Sequence, residues 1–406
     1  MRKYSNFLLI TALLLLLSGC SNASSWSSPG SWFGDSDEKD KKTKPLRTTL
    51  VAQPGQSTGL VEIWNRSVAS SPDSPFFHPG RFVVTGSDIF VATYQGAVVH
   101  LSRKDGSTLW KKEVGQSIKG GVGIDDKRVF TGTDDGEMVA LSQATGEEVW
   151  RQRVSTSVTS APVAADGKIF FLTLDSRLYA LNAETGATVW VNNNTPEALV
   201  IMGAATPTVD QDRLFVGYSS GDVQAVSISN GKVLWNDNLT VVGGRSELDL
   251  LQDIDAAIVT DGRSGQPSQS RKVFAVNHQG RLVALSRDGG SRSWTHDLSA
   301  LHPPLVWNDR LFIADMDGTM RALGMEDGLE LWRGDISDGL LTAPVRLKDR
   351  IVIADNKGRL FSLDPTSGRV LGLDRIGDPV LADPMVVGQE IYLWTNKGNM
   401  IALRFP

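Results

Sequence analysis

One sequence pattern recurs through most of the chain and limits the folds that it can adopt. An apolar-Ala-Leu triplet precedes Thr-Gly, Asn-Gly or Asp-Gly and then a tryptophan, as in the segment from Tyr179 to Trp190. A period of about 40 residues is typical of β-propeller blades, each a sheet of four strands. The tryptophan position is occupied in turn by Trp64, Trp110, Trp150, Trp190, Trp235, Trp294, Trp332 and Gly372.

Each repeat divides into short segments with strand character. In one copy, Ala161-Pro162-Val163 precedes the turn Asp166-Gly167, and an apolar run from Lys168 to Phe171 follows. Alternating apolar residues separated by glycine-bearing turns are a hairpin signature. Nothing of length has the periodicity of an amphipathic helix. The sequence therefore predicts an all-β fold.

The two ends of the repeat region complement each other. The chain ends on an Ala-Leu strand, Met400–Phe405, whereas Leu60–Val68 near the start is a tryptophan strand without an Ala-Leu partner. Pairing the two would close a ring and leave no open sheet edge between the first and last blades. Ala-Leu strands and tryptophan strands both number eight. We predict an eight-bladed β-propeller of four-stranded antiparallel blades over residues 59–406.

The repeated tryptophan has a structural interpretation. A large ring at the same place in every blade can pack against the neighbouring blade, with its N–H on a backbone acceptor. Recurrence favours a core position over a cofactor site.

The N-terminus has the layout of a secretory signal. A basic start, Met1-Arg2-Lys3, precedes the apolar run Phe7–Leu17, which is shorter than the roughly 20 residues of a membrane-spanning helix. Leu17-Ser18-Gly19-Cys20 resembles the lipobox of bacterial lipoproteins. That resemblance implies a signal peptide over residues 1–19 and lipidation of Cys20 by acyl chains such as palmitate. Because several chains on one residue give stable anchoring, Cys20 is expected to hold the protein at a membrane.

The residues after Cys20 indicate which membrane holds the lipid anchor. Ser21 stands where an aspartate would be the usual signal for inner-membrane retention, so we expect an outer-membrane lipoprotein that faces the periplasm. Residues 20–58 are rich in Ser, Gly, Lys and Asp, a composition typical of a flexible tether.

Charge and cysteine content exclude several function classes. The net charge of −5 would become −7 on loss of Arg2 and Lys3 with the signal, which argues against nucleic acid as a partner. Cys20 is the single cysteine, so the chain has no internal disulfide. The histidines lack the spacing of a metal site; they are His78, His100, His278, His296 and His302. We expect no catalytic residues, no metal and no cofactor.

Two resemblances bear on function. The segments Ala140–Trp150 and Ala180–Trp190 resemble the tryptophan-docking repeat of quinoprotein (PQQ) propellers, which identifies the fold but not the activity. The lipobox, the eight repeats and the stretch Gly244–Asp255 together resemble the BamB family of outer-membrane propeller lipoproteins. The resemblance implies a non-enzymatic scaffold of the β-barrel assembly complex. Such a scaffold binds the periplasmic POTRA domains of BamA and aids folding and insertion of outer-membrane proteins.

Two loops break the repeat period and are the candidate site. Asn192–Gly203 is apolar and Thr240–Asp255 is acidic, and because each follows a tryptophan strand we expect them to be neighbours on one rim. An apolar patch rimmed by charge is typical of a protein-binding site. The family's Leu-x-Leu-Arg-Gly loop corresponds to Leu199–Gly203, with methionine in place of arginine. The predicted partner-binding residues are Leu199, Ile201, Met202, Glu247, Asp249, Asp253 and Asp255.

Other interpretations stay open at this point. Leu199–Met202 also suits a buried inner strand, and the acidic loop suits a solvated one. A PQQ-dependent dehydrogenase-like quinoprotein is one alternative function. A carbohydrate- or peptidoglycan-binding propeller is another, with Trp307 or Trp394 stacking on sugars. The insertion Asp261–Arg271 is polar and is expected to form a mobile hairpin loop.

Overall fold

The regular structure consists of β-strands, as the turn-separated apolar runs predicted. The computed structural model describes residues 56–70, 81–115, 117–196, 205–240, 253–263, 271–278 and 280–406. These lie in a unit spanning Lys44–Pro406; a second unit, Met1–Thr43, lies outside the described residues. The strands form eight four-stranded antiparallel sheets, which are the predicted eight blades. Among the described residues, no helix is long and apolar enough to cross a membrane.

The first four blades follow one another along the chain, after a first strand β1 (Val61–Ser67). Blade 1 holds β2 (Arg81–Val84), β3 (Asp88–Ala92), β4 (Ala97–Ser102) and β5 (Thr108–Glu113). Blade 2 holds β6 (Ile118–Ile124), β7 (Arg128–Thr133), β8 (Glu137–Ser142) and β9 (Glu148–Arg153). Blade 3 holds β10 (Val163–Ala165), β11 (Lys168–Leu172), β12 (Arg177–Asn182) and β13 (Thr188–Asn193). Blade 4 holds β14 (Thr208–Asp210), β15 (Arg213–Gly217), β16 (Asp222–Ser227) and β17 (Val233–Asn238).

The remaining blades complete the ring. Blade 5 holds β18 (Val259–Thr260), β19 (Lys272–Val276), β20 (Leu282–Ser286) and β21 (Arg292–His296). Blade 6 holds β22 (Leu305–Trp307), β23 (Arg310–Ala314), β24 (Thr319–Gly324) and β25 (Glu330–Asp335). Blade 7 holds β26 (Val345–Leu347), β27 (Arg350–Ala354), β28 (Arg359–Leu363) and β29 (Val370–Arg375). Blade 8 holds β30 (Met385–Val387), β31 (Glu390–Trp394) and β32 (Asn399–Arg404), and β1 is its outer strand.

The core lies between the blades rather than in one central cluster. Phe215 and Val223 of blade 4 pack with Val273 and Leu285 of blade 5, and each of these side chains is fully buried. Because both faces of a blade are covered by neighbours, the second strands are continuous apolar runs instead of alternating ones. Innermost strands of adjacent blades contact each other, as β2 does β6 and β10 does β14, and β2 also contacts β30, so the ring closes.

The repeated tryptophans join each blade to the next. Trp235 donates its Nε1–H to the backbone oxygen of Arg287 in blade 5 at 2.9 Å. Its ring lies against Gly290, where a Cβ would be 2.6 Å from Trp235 Cδ2, and the φ of +69° at Gly290 also favours glycine. All seven tryptophans at the repeat position make this bond, on the backbone oxygens of Arg103, Gln143, Ala183, Ile228, Arg287, Met325 and Pro365. The predicted structural role of the tryptophan is confirmed.

Ring closure explains the one repeat that lacks tryptophan. β1 pairs with β32 from Val61 opposite Arg404 to Ser67 opposite Asn399, as the complementary chain ends predicted. The segment Gln56–Thr58 crosses blade 7 at Gly372, where Leu373 N donates to Gln56 O at 2.8 Å. A Cβ on Gly372 would lie 2.6 Å from the carbonyl carbon of Ser57. The chain's own backbone therefore occupies the eighth docking position.

The same contacts move a domain boundary. Thr58 is buried, and its N–H donates to Asp374 Oδ2 at 3.2 Å. The propeller therefore begins by Gln56, earlier than the boundary at residue 59 that the sequence suggested.

Candidate partner-binding rim

The two period-breaking loops leave the ring on the same side. One connects β13 to β14 and the other connects β17 to β18. In each blade the hairpin between the second and third strands also lies on this side of the ring, which we call the loop rim. The opposite side, the hairpin rim, carries the other two hairpins of each blade, except in blade 8, whose outer strand β1 comes from the other end of the described chain. The described ends of the two loops therefore lie on adjacent blades.

Asp222 at the start of β16 connects the feet of both loops. Asn194, just after β13, donates from Nδ2 to Asp222 Oδ2 at 3.2 Å. Asn238, at the end of β17, donates from Nδ2 to Asp222 Oδ1 at 2.7 Å. Ser220 adds a third bond to this carboxylate at 2.7 Å. Hydrogen bonds to an ionised acceptor are about twice as strong as neutral ones, so Asp222 couples the first loop to the second.

The far foot of the acidic loop is held by apolar packing and backbone bonds. Ile254 is buried against Gly217, where a Cβ would lie 2.9 Å from Ile254 Cβ. Ile254 N donates to Tyr218 O at 3.3 Å, and His278 N donates to Asp253 O at 3.2 Å. The foot is thus fixed to the hairpins of blades 4 and 5 together.

The predicted site residues fall into two groups. Asp253 and Asp255 belong to this described foot. The others, Leu199, Ile201, Met202, Glu247 and Asp249, lie outside the described residues, as does Cys20. Asp222, Asn194 and Asn238 were not predicted; Asn194 and Asn238 have only the sequence signal of a position at a long loop, and Asp222, which follows a short turn, has none.

One expectation about the acidic loop needs correction. The sequence suggested Asp253 and Asp255 as surface contacts, but the exposed fraction of Asp253 is 1%, and both carboxylate oxygens of Asp255 are buried although the residue as a whole is half-buried. The reason is the adjacent Ile254, whose burial draws the end of the loop into the interface between blades 4 and 5. Asp253 thus belongs to the buried base of the loop and not to its surface.

His278 gives this foot a dependence on pH. Burial lowers the pKa of His278 below its ordinary value of 6.5, because the charged form loses hydration. The folded protein therefore binds fewer protons here than the unfolded chain as the pH falls below 6.5. Stability contributed by the neutral ring is complete above that pH and is lost as the pH decreases through the lowered pKa.

We expect His278→Gln to reduce the loss of stability below pH 6.5. Glutamine keeps a polar side chain but does not titrate, so the free energy of unfolding should depend less steeply on pH than in the unaltered protein. Urea denaturation at several pH values between 5 and 8 measures this. Near pH 8 the free energies of unfolding of the two proteins should change with pH in the same way. If they still do so down to pH 5, His278 is not the source of the pH dependence.

The insertion Asp261–Arg271 lies on the hairpin rim, and its ends are anchored. Asp261 accepts hydrogen bonds from the backbone of Arg263 and Lys272, and Arg271 contacts Asp210 at 2.6 Å. Burial acts to raise the pKa of Asp210, but bonds from Arg271 and Arg287 outweigh it and hold the pKa below its usual range. The expectation of a mobile loop does not hold for these ends; residues 264–270 lie outside the described part.

The carbohydrate alternative loses its candidate residues. Trp394 has an exposed fraction of 5% and belongs to the core between blades 8 and 1. Trp307 packs on Phe312, and the guanidinium of Arg346 lies 4.7 Å from the Trp307 ring centroid. A sugar stacks on an open aromatic face, and neither ring offers one.

The channel does not suit a quinone cofactor either. A cavity of about 430 Å³ lies at the inner strands of blades 5 to 8, lined largely by proline and valine. Its charged lining residues are Asp261 and Asp383, and Asp383 is 2.6 Å from His302 Nδ1. PQQ is a tricarboxylate, so two carboxylates and no lysine or arginine in the described lining would repel it. We derive no chemistry through such a group.

Comparisons with known proteins show the family of this chain. A family model described as outer membrane protein assembly factor BamB matches residues 94–333 and 316–405. A relative from Pseudomonas aeruginosa with the same description is 39% identical over 312 residues, which are 77% of this chain and 79% of that protein. The chain belongs to the BamB family.

Solved structures show the same fold. BamB from Moraxella catarrhalis superposes with a TM-score of 0.72 at 22% identity, covering 84% of this chain and 100% of that one. A quinohemoprotein alcohol dehydrogenase from Comamonas testosteroni gives 0.67 at 14% identity, covering 86% and 76%. At such identities the likeness concerns the fold alone, so the dehydrogenase match carries no activity over to this BamB-family chain.

Proposed function

We propose that this chain is a non-enzymatic scaffold lipoprotein of the outer-membrane β-barrel assembly machinery. It binds the periplasmic POTRA domains of BamA through the loop rim of blades 3 to 5 and thereby aids the folding and insertion of outer-membrane proteins. The observation that carries the proposal is the junction at Asp222, which accepts hydrogen bonds from Asn194 and Asn238 at the starts of both long loops. Membership of a family described as outer-membrane assembly factors supports the role.

The ends of both loops are held on blades 3 to 5 before a partner binds. Fixing these ends in advance lowers the ordering cost of binding. Carboxylates of the acidic loop, Glu247 and Asp249, steer a basic partner surface during encounter. The apolar residues Leu199, Ile201 and Met202 supply the desolvated centre of the contact. Because Met202 has no charge, no ion pair is assigned to the apolar loop.

The N-terminus supplies the location. A signal peptide over residues 1–19 directs export, and lipid on Cys20 holds the protein in the outer membrane, facing the periplasm. The tether lets the propeller reach a membrane-embedded partner.

The test is binding to the purified POTRA domains of BamA. We expect Asp222→Ala to weaken binding about tenfold or more, because it releases the feet of both loops together. Glu247→Ala should weaken it less and act mainly on the association rate, with a smaller salt dependence. Biolayer interferometry at two salt concentrations measures both effects.

A matched control uses an aspartate on the other rim. Asp349 is exposed in a hairpin turn of blade 7, so Asp349→Ala should leave binding unchanged. Equal affinity of all three variants, at unchanged melting temperature, would remove the loop rim as the binding site.

A further inference from the structure

The outer strand of blade 3 differs from the other outer strands in charge. β13 reads Thr188-Val189-Trp190-Val191-Asn192-Asn193 and contains no charged residue. Each of the other seven contains at least one lysine, arginine, aspartate or glutamate. Charged side chains on an edge strand discourage pairing with another chain. β13 is thus the outer edge that the sequence protects least.

The backbone of β13 is oriented for such pairing. β13 is the last strand of its sheet in the order β10-β11-β12-β13. Asn194 N donates inward to Ser176 O at 3.1 Å, and pairing alternates along an antiparallel strand. The N–H and C=O groups of Val191 therefore point outward, whereas a β-bulge between Thr188 and Trp190 interrupts the alternation at Val189. The side chains of Val189 and Val191 are 45% and 37% exposed, so apolar surface adjoins this edge.

The edge is rigid in its present form. Trp190 donates its Nε1–H to Ile228 O at 3.1 Å, and Asn192 donates from Nδ2 to Gly231 O at 3.1 Å. Both bonds tie the strand to blade 4. A segment that pairs with β13 therefore meets a preformed template, which lowers the ordering cost of binding.

We propose that the outer edge of β13 binds an extended, uncharged polypeptide segment as an additional strand. The occupant is an unfolded outer-membrane β-strand, a choice that rests on the proposed function. Such strands alternate apolar and polar residues over about ten positions, which suits an uncharged edge flanked by valines. β13 also runs directly into the loop that begins at Asn192, so the segment would lie beside the rim proposed for the partner.

The test uses a fluorescent peptide of about ten residues that alternates valine with threonine. Val191→Pro removes one outward N–H and puts a ring on the edge, while the bonds from β13 to β12 are kept. We expect peptide affinity, measured by fluorescence anisotropy, to fall about tenfold. Lys111→Pro makes the same change at the equivalent position of blade 1 and should have no effect. A peptide with N-methylated backbone groups should bind neither the unaltered protein nor the two variants.

A second pair of variants guards against misfolding. Val189→Lys places a charge on β13 and should weaken peptide binding, whereas Val149→Lys does the same on β9 and should not. The proposal is overturned if Val189→Lys binds the peptide as tightly as the unaltered protein does. It is also overturned if, in both pairs, the β13 variant and its control lose the same peptide affinity. A change of oligomeric state in place of peptide binding overturns it too, since the occupant is then a second copy. Binding of Val189→Lys to POTRA domains should be unaffected, which separates this failure from failure of the proposed function.

Discussion

Replacing Gly372 with tryptophan should destabilise the ring, although seven of the eight blades carry tryptophan at this position. The place where the ring would dock is occupied by the backbone of Ser57 and Thr58, and even a Cβ would lie 2.6 Å from Thr58 Cα. The larger side chain must displace the segment that closes blade 8. We expect a loss of about 3 kcal/mol in the free energy of unfolding, at the upper end of overpacking costs. Urea denaturation measures it.

Two comparisons sharpen this prediction. Gly372→Ala meets the same backbone and should also destabilise, whereas Gly289→Ala faces open space and should change stability by less than about 0.5 kcal/mol. Proteolysis near residues 56–58 should accelerate in both Gly372 variants, since the displaced segment becomes accessible. A gain in stability from Gly372→Trp would show that the repeat pattern, and not the closing segment, governs this position.

Trp235→Ala should cost about 3–5 kcal/mol in the free energy of unfolding. The Trp235 ring is 8% exposed, lies 5.8 Å from the Phe215 ring between centroids, and packs on Gly290 of the next blade. Truncation leaves a cavity between blades 4 and 5 and leaves the Arg287 carbonyl without its bond from the indole N–H. Thermal and urea denaturation should both report the loss.

Trp235→Phe divides this effect into its parts. Phenylalanine keeps much of the packing but cannot donate, so it should cost less than alanine, with about 1 kcal/mol from the lost hydrogen bond. Leu329→Ala is the surface control, because Leu329 is 63% exposed and should matter little. If Trp235→Ala were as stable as that control, the inter-blade docking role would be wrong.

The repeat alone predicted the fold because each blade makes the same local choices. Strand-length apolar runs, glycine turns and one docking tryptophan recur at about the same spacing, and such regularity leaves few alternatives to a propeller. Even the irregular end of the chain, Met400–Phe405, was informative, since it lacked the strand that Leu60–Val68 supplies. The contact of Gln56–Thr58 with Gly372 was not predictable in this way, because Gln56–Thr58 precede the first repeat and have no counterpart in the other blades.

The candidate site was predicted only in outline. Loop lengths and the order of the blades indicated that Asn192–Gly203 and Thr240–Asp255 are neighbours. Nothing in the sequence distinguished Asp222, which couples them, from other polar residues that follow a turn. Nor did it indicate that Asp253 is buried beside Ile254 and that the carboxylate oxygens of Asp255 are buried as well. A loop carboxylate becomes surface or support according to the side chains that surround it in three dimensions.

The sequence by itself thus determined the architecture, the number of blades and the roles of the seven tryptophans, since these follow from periodic short-range patterns. The tertiary structure decided which groups meet across blades: the Asp222 junction, the burial of Asp253, the occupied docking position at Gly372 and the outward-facing edge of β13. The physical reason is that hydrogen bonds and burial depend on distances between segments far apart in the chain, and a repeat pattern specifies each segment without specifying its neighbours.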